Sequence, residues 1–540
     1  MNAAQTLLPR VAHARSPASD AQRPQAAAGR SYGWWVLIAA FVAAAVPGLA
    51  FANCVLNHFY LQGAYLWDSG AIAGVIWRRD AWLTYPPLFP IGSLYAYHVM
   101  PLLSVLTVAS RYVSIGLPGW FALVIGIGHA LPSIGLFWLL MEGLGLRSKG
   151  GLAAAVVLAV LAAFTGIPLA TILFPHPEII IAGGLTLVFA AIALEHYWIA
   201  AACLIFTLLV REDAGLHAFG VIFLLVMVNW IRGISWRQQA PLLILALICF
   251  VYSAGAVAFK QLAFPEQQSL FAAEYLNHPL FSDASLRRVL LSAIGLPVYR
   301  GYFFWPAIAA VIWSILARNA LIMLGYLAFC PWLLMNLQGN GDIRETISGY
   351  YSFPFLVALV WPLAAVVIDA HQRGVGPDAR AALAGFTVML ALSFVGLPRL
   401  WNPGHMDLWT NFTTLPSLAR AEATDRAVAV LLANESSGAG SSFGTLFTDQ
   451  SVYSLAPYDF DSAAVVQPVE RSGRVWNVPI DSFAYFEVGP DIERMRGTMA
   501  MRDLTYAYRF KGTSIRLVSN RDLDSVAGLE RLPAGSVAHK

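Results

Sequence analysis

The sequence is short of charge and of cysteine. Only 12% of its 540 residues are Asp, Glu, Lys or Arg, whereas 58% are hydrophobic; in soluble domains charged residues are about 25%. The four cysteines lie far apart, with neither metal-binding nor disulfide-framework spacing. A net charge of +3 gives no basic surface of the kind that binds nucleic acid. These shortages exclude a soluble enzyme, a disulfide scaffold and a nucleic-acid-binding protein.

Long apolar runs take the place of the missing charge. Lipid cannot satisfy backbone polar groups, and these runs are continuous rather than alternating, so they predict helices and not barrel strands. We predict an all-α polytopic membrane protein with about eleven transmembrane helices. The predicted spans are 34–52, 119–142, 151–173, 179–194, 197–210, 214–231, 239–259, 302–317, 320–336, 350–368 and 381–397.

Charge placement predicts the orientation and the domain organisation. Residues 1–30 contain four arginines and one acid, which predicts a disordered cytoplasmic tail by the positive-inside rule; a mitochondrial transit peptide has a similar composition. Residues 31–400 form the predicted transmembrane domain, in which 53–118 is an outer loop with interfacial helices. Residues 401–540 are richer in polar residues and predict a small α/β domain outside. Helical periodicity over Ala419–Ala433 and strand patterns over Val475–Val488 and Thr513–Val518 support this prediction.

Ionisable residues lie at the predicted outer ends of the spans. Span 197–210 is only ~21 Å long at 1.5 Å per residue, shorter than the ~30 Å hydrocarbon core, so Arg211, Glu212 and Asp213 should be recessed from the outer surface. Arg211 could bind a phosphate with an acid orienting it, or the three residues could simply pair with one another. Asp68 follows the first span and could act as a general base, or cap an interfacial helix.

Other candidates have equally plain structural alternatives. His98 and His176 could bind phosphate or relay a proton, or they could be turn residues beside proline. Glu178 begins a span, where a carboxylate favours the helix dipole. Tyr350 and Tyr351 are also typical of a membrane-interface aromatic belt. No metal-ligand spacing demands a cofactor, although a divalent cation would find ligands on this side.

The order of these features resembles the GT-C class of membrane glycosyltransferases. It is similar, more narrowly, to a family of predicted bacterial membrane proteins of unknown function that is distantly related to that class. The residues that carry the resemblance are Asp68-Ser69-Gly70, His98 with Pro101, Phe174-Pro175-His176-Pro177-Glu178, Arg211-Glu212-Asp213 and Tyr350-Tyr351. Ser69 stands where the family has Leu, Pro175 is an additional residue, and Tyr350 stands where the family has His-Tyr.

The resemblance implies a function by fold-level analogy. It implies a GT-C-like fold in the bacterial inner membrane, with the C-terminal domain in the periplasm. It also implies transfer of a sugar from a polyprenyl-phosphate donor to an extracytoplasmic glycan, lipid or protein acceptor. Asp68 would be the base, and His98, His176, Glu178, Arg211, Glu212, Asp213, Tyr350 and Tyr351 would line the substrate site. A lipid or solute transporter and a non-catalytic membrane protein are the alternative functions.

Overall fold

A computed structural model describes most of the apolar part of the chain. The described residues are 33–60, 72, 75–76, 81–83, 93–113, 115–173, 175–265, 286–338, 347, 349–396, 408–415, 422–423, 426, 430, 469–471, 474–476, 482–486, 506–513, 515–519 and 522–533. The predicted base Asp68 lies outside them, as does most of the predicted helix Ala419–Ala433.

The described residues are mainly helical, and we number the helices in chain order. The first eight are α1 (Trp34–Tyr60), α2 (Pro101–Ala109), α3 (Gly116–Trp138), α4 (Lys149–Ala163), α5 (Gly166–Ile172), α6 (Ile179–Ala193), α7 (Tyr197–Leu208) and α8 (Ala214–Ile231). The later ones are α9 (Trp236–Ala263), α10 (Leu286–Tyr299), α11 (Gly301–Leu316), α12 (Leu324–Ala328), α13 (Cys330–Gln338), α14 (Phe353–Arg373), α15 (Ala379–Leu392) and α16 (Leu408–Thr413).

Several of these helices are long and apolar enough to cross a bilayer. Within the described residues six segments meet that criterion, or seven if α4 and α5, which are bent by 45° at their junction, form one span. Four more apolar helices, α6, α7, α11 and α15, are shorter. The architecture indicates a multi-pass membrane protein, as the composition predicted, while the predicted count of eleven crossings stays a prediction.

Two predicted spans have a different internal structure from the one expected. The segment 151–173 is not one straight helix, because α4 ends at Ala163 and α5 starts at Gly166. The predicted span 320–336 consists of the 3-10 turn Ala320–Met323 followed by α12 and α13. Breaks of this kind occur in membrane helices where neighbouring protein satisfies the freed backbone groups.

Small residues let the helices of the core approach closely. A Cβ on Gly126 of α3 would lie 2.5 Å from the carbonyl oxygen of Gly48 in α1, and one on Gly184 of α6 would lie 2.0 Å from Thr207 Oγ1 in α7. This close approach substitutes for the hydrophobic driving force that lipid does not provide. Helix α14 is buried along nearly its whole length and forms the centre of the bundle.

The end of α1 is fastened to α16. The Nδ2 amide of Asn53 donates to the carbonyl oxygens of Asn411 (3.1 Å) and Thr414 (3.0 Å), and that of Asn57 donates to the same two oxygens at 2.8 and 2.6 Å. Phe412 packs edge-on against Phe51, with ring centroids 5.2 Å apart. These contacts hold the chain that leads out of the bundle against the first helix.

The C-terminal part contains antiparallel strands, as the sequence predicted. The strands are β1 (Val469–Arg471), β2 (Arg474–Trp476), β3 (Ser482–Phe486), β4 (Tyr506–Phe510), β5 (Ile515–Ser519) and β6 (Leu529–Arg531). Strands β1 and β2 pair with each other, and a four-stranded sheet has the order β3-β5-β4-β6. The strand patterns over 475–488 and 513–518 therefore match β2, β3 and β5.

Candidate functional site

Three turns far apart in the sequence meet at one place. His98 precedes α2, His176 and Glu178 lie in the turn between α5 and α6, and Arg211-Glu212-Asp213 joins α7 to α8. We call these six residues the ionic cluster. Pro175 and Pro177 lack the backbone donor that would continue a helix, so the chain turns between α5 and α6. Pro101 is the first residue of α2, a position where proline favours a helix start. The main chain also ties two of the turns together, since the Leu102 N–H donates to the carbonyl of Leu209 at 2.7 Å.

Arg211 is the centre of the ionic cluster. Its Nε donates to Asp213 Oδ1 at 2.7 Å, its second terminal nitrogen donates to Asp213 Oδ2, and its first donates to Glu178 Oε1 at 2.5 Å. Its side chain is 6% exposed and that of Glu178 is fully buried. The Phe353 ring lies 5.9 Å from the guanidinium carbon. Of the two interpretations that the sequence left open for Arg211, this geometry is the internally paired one, with Glu178 as an additional partner.

The half-buried carboxylates of Asp213 and Glu212 differ in what keeps them ionised. Burial opposes ionisation of Asp213, but the Arg211 guanidinium and a hydrogen bond from His217 outweigh it, so the pKa of Asp213 is held well below its usual range. Burial likewise opposes ionisation of Glu212, and its contact with His98 reverses the balance and lowers the pKa of Glu212. Both groups are therefore carboxylates at neutral pH.

His176 is neutral although it touches a carboxylate. Its Nδ1 contacts the Glu178 carboxylate, yet burial, reinforced by Arg211 and His98, places the pKa of His176 well below 6.5. The two facts agree if neutral His176 carries its proton on Nδ1 and donates it to Glu178, a hydrogen bond that requires no charge on the ring. Glu178 thus accepts from Arg211 at Oε1 and contacts His176 at Oε2.

His98 and Glu212 form a carboxylate–histidine dyad. His98 Nδ1 lies 2.9 Å from Glu212 Oε1, and Glu212 Oε2 accepts the Val99 N–H at 2.8 Å. The His98 side chain is 38% exposed, against 13% for Glu212. A carboxylate on Nδ1 fixes the ring tautomer and leaves Nε2 as the reactive nitrogen. The dyad is the accessible edge of the ionic cluster and can accept or donate a proton there.

The sequence did not single out three residues near the cluster, of which His217 and Ser253 contact it. His217 Nε2 lies 3.5 Å from Asp213 Oδ2, and its ring packs among Phe329, Trp332 and Phe353. Its i+4 spacing from Asp213 was the available signal. Ser253 of α9 donates from Oγ to the Glu212 carbonyl at 2.7 Å. The hydroxyl of Tyr252 is buried without a hydrogen-bond partner in the described structure.

Tyr350 and Tyr351 lie in the chain just ahead of α14. The backbone of Tyr350 belongs to the 3-10 turn Gly349–Ser352, while its side chain lies outside the described residues. Tyr351 accepts the Trp332 Nε1–H at its carbonyl, at 2.8 Å, and Trp332 contacts His217 with ring centroids 5.2 Å apart. Tyr351 is therefore linked to the ionic cluster through Trp332 and His217.

The charge of the cluster disfavours an anionic ligand at its centre. Arg211 is the one arginine of the ionic cluster, and it stands among three acidic residues, Glu178, Glu212 and Asp213. A phosphate would have to displace carboxylates that already occupy the guanidinium. Within the described ranges no three His, Cys, Asp or Glu residues are arranged to hold a metal ion.

Comparison of the chain with protein families, with curated proteins and with solved structures found no match.

Acidification is expected to destabilise the folded protein through His176. The ring stays neutral when folded but gains a proton in the unfolded chain below about pH 6.5. Below that pH the unfolded state binds more protons than the folded state. This one group therefore lowers the free energy of unfolding by about 1.4 kcal/mol for each unit by which the pH decreases. Unfolding in detergent at about pH 7.5 and about pH 5.5 should show a slope that His176→Gln reduces.

The exposed His371→Gln at the end of α14 is the matched control and should leave the slope unchanged. Asp213 and Glu212 do not interfere, because their lowered pKa values make them lose stabilisation only at more acidic pH. An identical slope in His176→Gln and in the unmodified protein would contradict the neutral assignment.

Proposed function

We propose that this protein is a membrane glycosyltransferase that transfers a sugar from a polyprenyl-phosphate donor to an extracytoplasmic acceptor. One observation carries the proposal: the motif-bearing turns around His98, His176 and Arg211, up to 114 positions apart, share one ionic cluster whose accessible edge is an acid–base dyad. A buried ion-pair network is costly unless its members are fully satisfied. Here the network positions His98 at the accessible edge of the ionic cluster.

The proposed chemistry needs a proton acceptor and a departing phosphate. The acceptor hydroxyl gives its proton to the Asp68 carboxylate while its oxygen bonds to the anomeric carbon of the sugar. The bond from that carbon to the phosphate oxygen breaks, and polyprenyl phosphate leaves with the electron pair. The His98–Glu212 dyad would orient the reacting groups, and Arg211, His176, Glu178 and Asp213 would hold the dyad's turn in place.

The topology we propose has eleven crossings. The seven long spans, counting α4 and α5 as one, and the four shorter apolar helices together make eleven. In the topology that we propose, the N-terminus is in the cytoplasm and the C-terminal domain lies outside the bacterial inner membrane, on the side of the ionic cluster. Short helices such as α7 would leave that cluster below the membrane surface.

A proton-coupled transporter is the second candidate. The observation that favours it is the composition of the ionic cluster and His217, in which imidazoles and carboxylates adjoin one another and the net charge suits a proton better than an anion. Intramembrane chains of such groups serve as proton relays in transporters.

Purified protein in nanodiscs separates the two functions. We expect release of polyprenyl phosphate and labelling of an acceptor when the protein is given a panel of polyprenyl-phosphate sugars and envelope extracts. Mass spectrometry of envelope glycans from a deletion strain should show the missing sugar. Proteoliposome uptake of a labelled solute or lipid-linked sugar driven by a proton gradient, with no transfer to any acceptor, would contradict the proposal and support the transporter.

A further inference from the structure

We infer that Lys260 binds the phosphate of a lipid-linked ligand at the accessible edge of the ionic cluster. The inference rests on the proposed function for the identity of the ligand. It differs from the interpretation of the sequence, which gave this task to Arg211. Three observations support the inference: the partners of Lys260, its position along α9 relative to the dyad, and the apolar surface around it.

Lys260 has donors to spare and lies beside the dyad. Its Nζ donates one hydrogen bond, 3.0 Å long, to the carbonyl of Tyr97, the residue that precedes His98. An ammonium carries three N–H donors and no acceptor. Within the described residues no carboxylate forms an ion pair with Lys260, in contrast to Arg211, which Glu178 and Asp213 occupy. Lys260 is thus a cation that an incoming anion can reach without breaking any ion pair in the described part of the chain.

Helix α9 determines the position of Lys260 relative to the His98–Glu212 dyad. Ser253 binds the Glu212 carbonyl, and Lys260 lies two turns further along the same helix, which is about 10 Å at 1.5 Å per residue. Gly215 permits the close packing that sets this register, because a Cβ there would lie 2.5 Å from the Cys249 carbonyl oxygen. Passing outward, a ligand would therefore meet the dyad first and Lys260 beyond it.

The surface around Lys260 suits a lipid rather than a soluble phosphate. Val257, Phe259 and Leu262, on the same turns of α9, are 43%, 41% and 83% exposed. In a membrane helix such residues face the hydrocarbon. Phe259 also contacts Tyr95 edge-on, with ring centroids 6.4 Å apart, so the apolar surface continues to the turn that carries His98. A polyprenyl chain could remain in the bilayer while its phosphate meets Lys260 and His98.

Binding of a fluorescent polyprenyl monophosphate in phosphatidylcholine nanodiscs tests the inference. Lys260→Gln keeps an N–H donor for the Tyr97 carbonyl but removes the charge, and it should weaken binding about tenfold, the usual scale for a charge-assisted hydrogen bond. Lys260→Arg should bind within about threefold of the unmodified protein. Lys149→Gln, at the exposed start of α4, is the matched control and should have no effect.

The outcomes separate the inference from the proposed function. Unchanged affinity in Lys260→Gln overturns the inference, even if sugar transfer is observed. Lys260-dependent binding without any transfer supports it and counts against the glycosyltransferase alone. Inorganic phosphate that binds as tightly as the lipid would overturn the assignment to a lipid-linked ligand. Equal loss in Lys260→Gln and Lys260→Arg, with lowered thermal stability in both, would show a tether to Tyr97 and overturn the inference.

Discussion

Replacement of Arg211 by methionine is expected to destabilise the fold more than any other single change in the described residues. Methionine keeps most of the side-chain volume but leaves the buried carboxylate of Glu178 and the half-buried carboxylate of Asp213 without their cation. Removing one partner of a buried ion pair costs about 3–5 kcal/mol. Since typical domains are stable by about 5–15 kcal/mol, much of the protein should fail to reach the membrane folded. Fluorescence-detected size exclusion and thermal unfolding in detergent would measure the loss.

Two controls make that expectation specific. Arg237→Met, on the exposed first turn of α9, should change stability by less than about 0.5 kcal/mol. The triple variant Arg211→Met, Glu178→Gln, Asp213→Asn removes the uncompensated charges and should recover part of the lost stability. If Arg211→Met unfolds at the same temperature as the unmodified protein, the ion pairs are not what holds the three turns together.

Asp68→Asn should lower sugar transfer by about 10³-fold or more, whereas His98→Gln should lower it by about 10–10²-fold. Asparagine is the same size as aspartate but cannot take a proton from the acceptor hydroxyl. Glutamine at position 98 loses the imidazole while Glu212 keeps its bond from the Val99 N–H, so orientation suffers more than protonation. Initial rates at saturating donor, with thermal unfolding as the check on folding, measure both variants.

The variant that loses more transfer activity identifies the general base of the reaction. Full activity in Asp68→Asn would exclude Asp68. A larger loss in His98→Gln than in Asp68→Asn would make the dyad imidazole the proton acceptor. His371→Gln, exposed at the end of α14, should be as active as the unmodified protein.

The sequence predicted the helices well because lipid leaves the backbone few alternatives. Helices α3, α8, α9 and α14 lie within a few residues of their predicted spans, and the strand patterns near 475–488 and 513–518 also became strands. The bend between α4 and α5 was not predicted. A continuous apolar run does not reveal where neighbouring helices will let it break.

The contacts between residues of the ionic cluster could not be predicted from the sequence. Arg211-Glu212-Asp213 could be recognised as a charged turn at the end of a short helix. Nothing in its spacing showed that Glu212 would face His98, 114 positions earlier, while Arg211 faces Glu178. Whether the Arg211 guanidinium is free or paired depends on which turns meet in space. The role that we infer for Lys260 depends on the same contacts.

The hydrogen bonds between the end of α1 and residues 411–414 determine how far the chain can be truncated from its C-terminal side. Asn53 and Asn57 receive their acceptors from residues 411–414, and the same end of α1 leads directly into the stretch that contains Asp68. A chain cut short ahead of Leu408 would leave those two amides with no carbonyl to bind, in the last turns of a helix that must present the proposed base. Residues 411–414 thus support the end of α1, and their removal should disturb that end of the helix as well as delete the strands that follow.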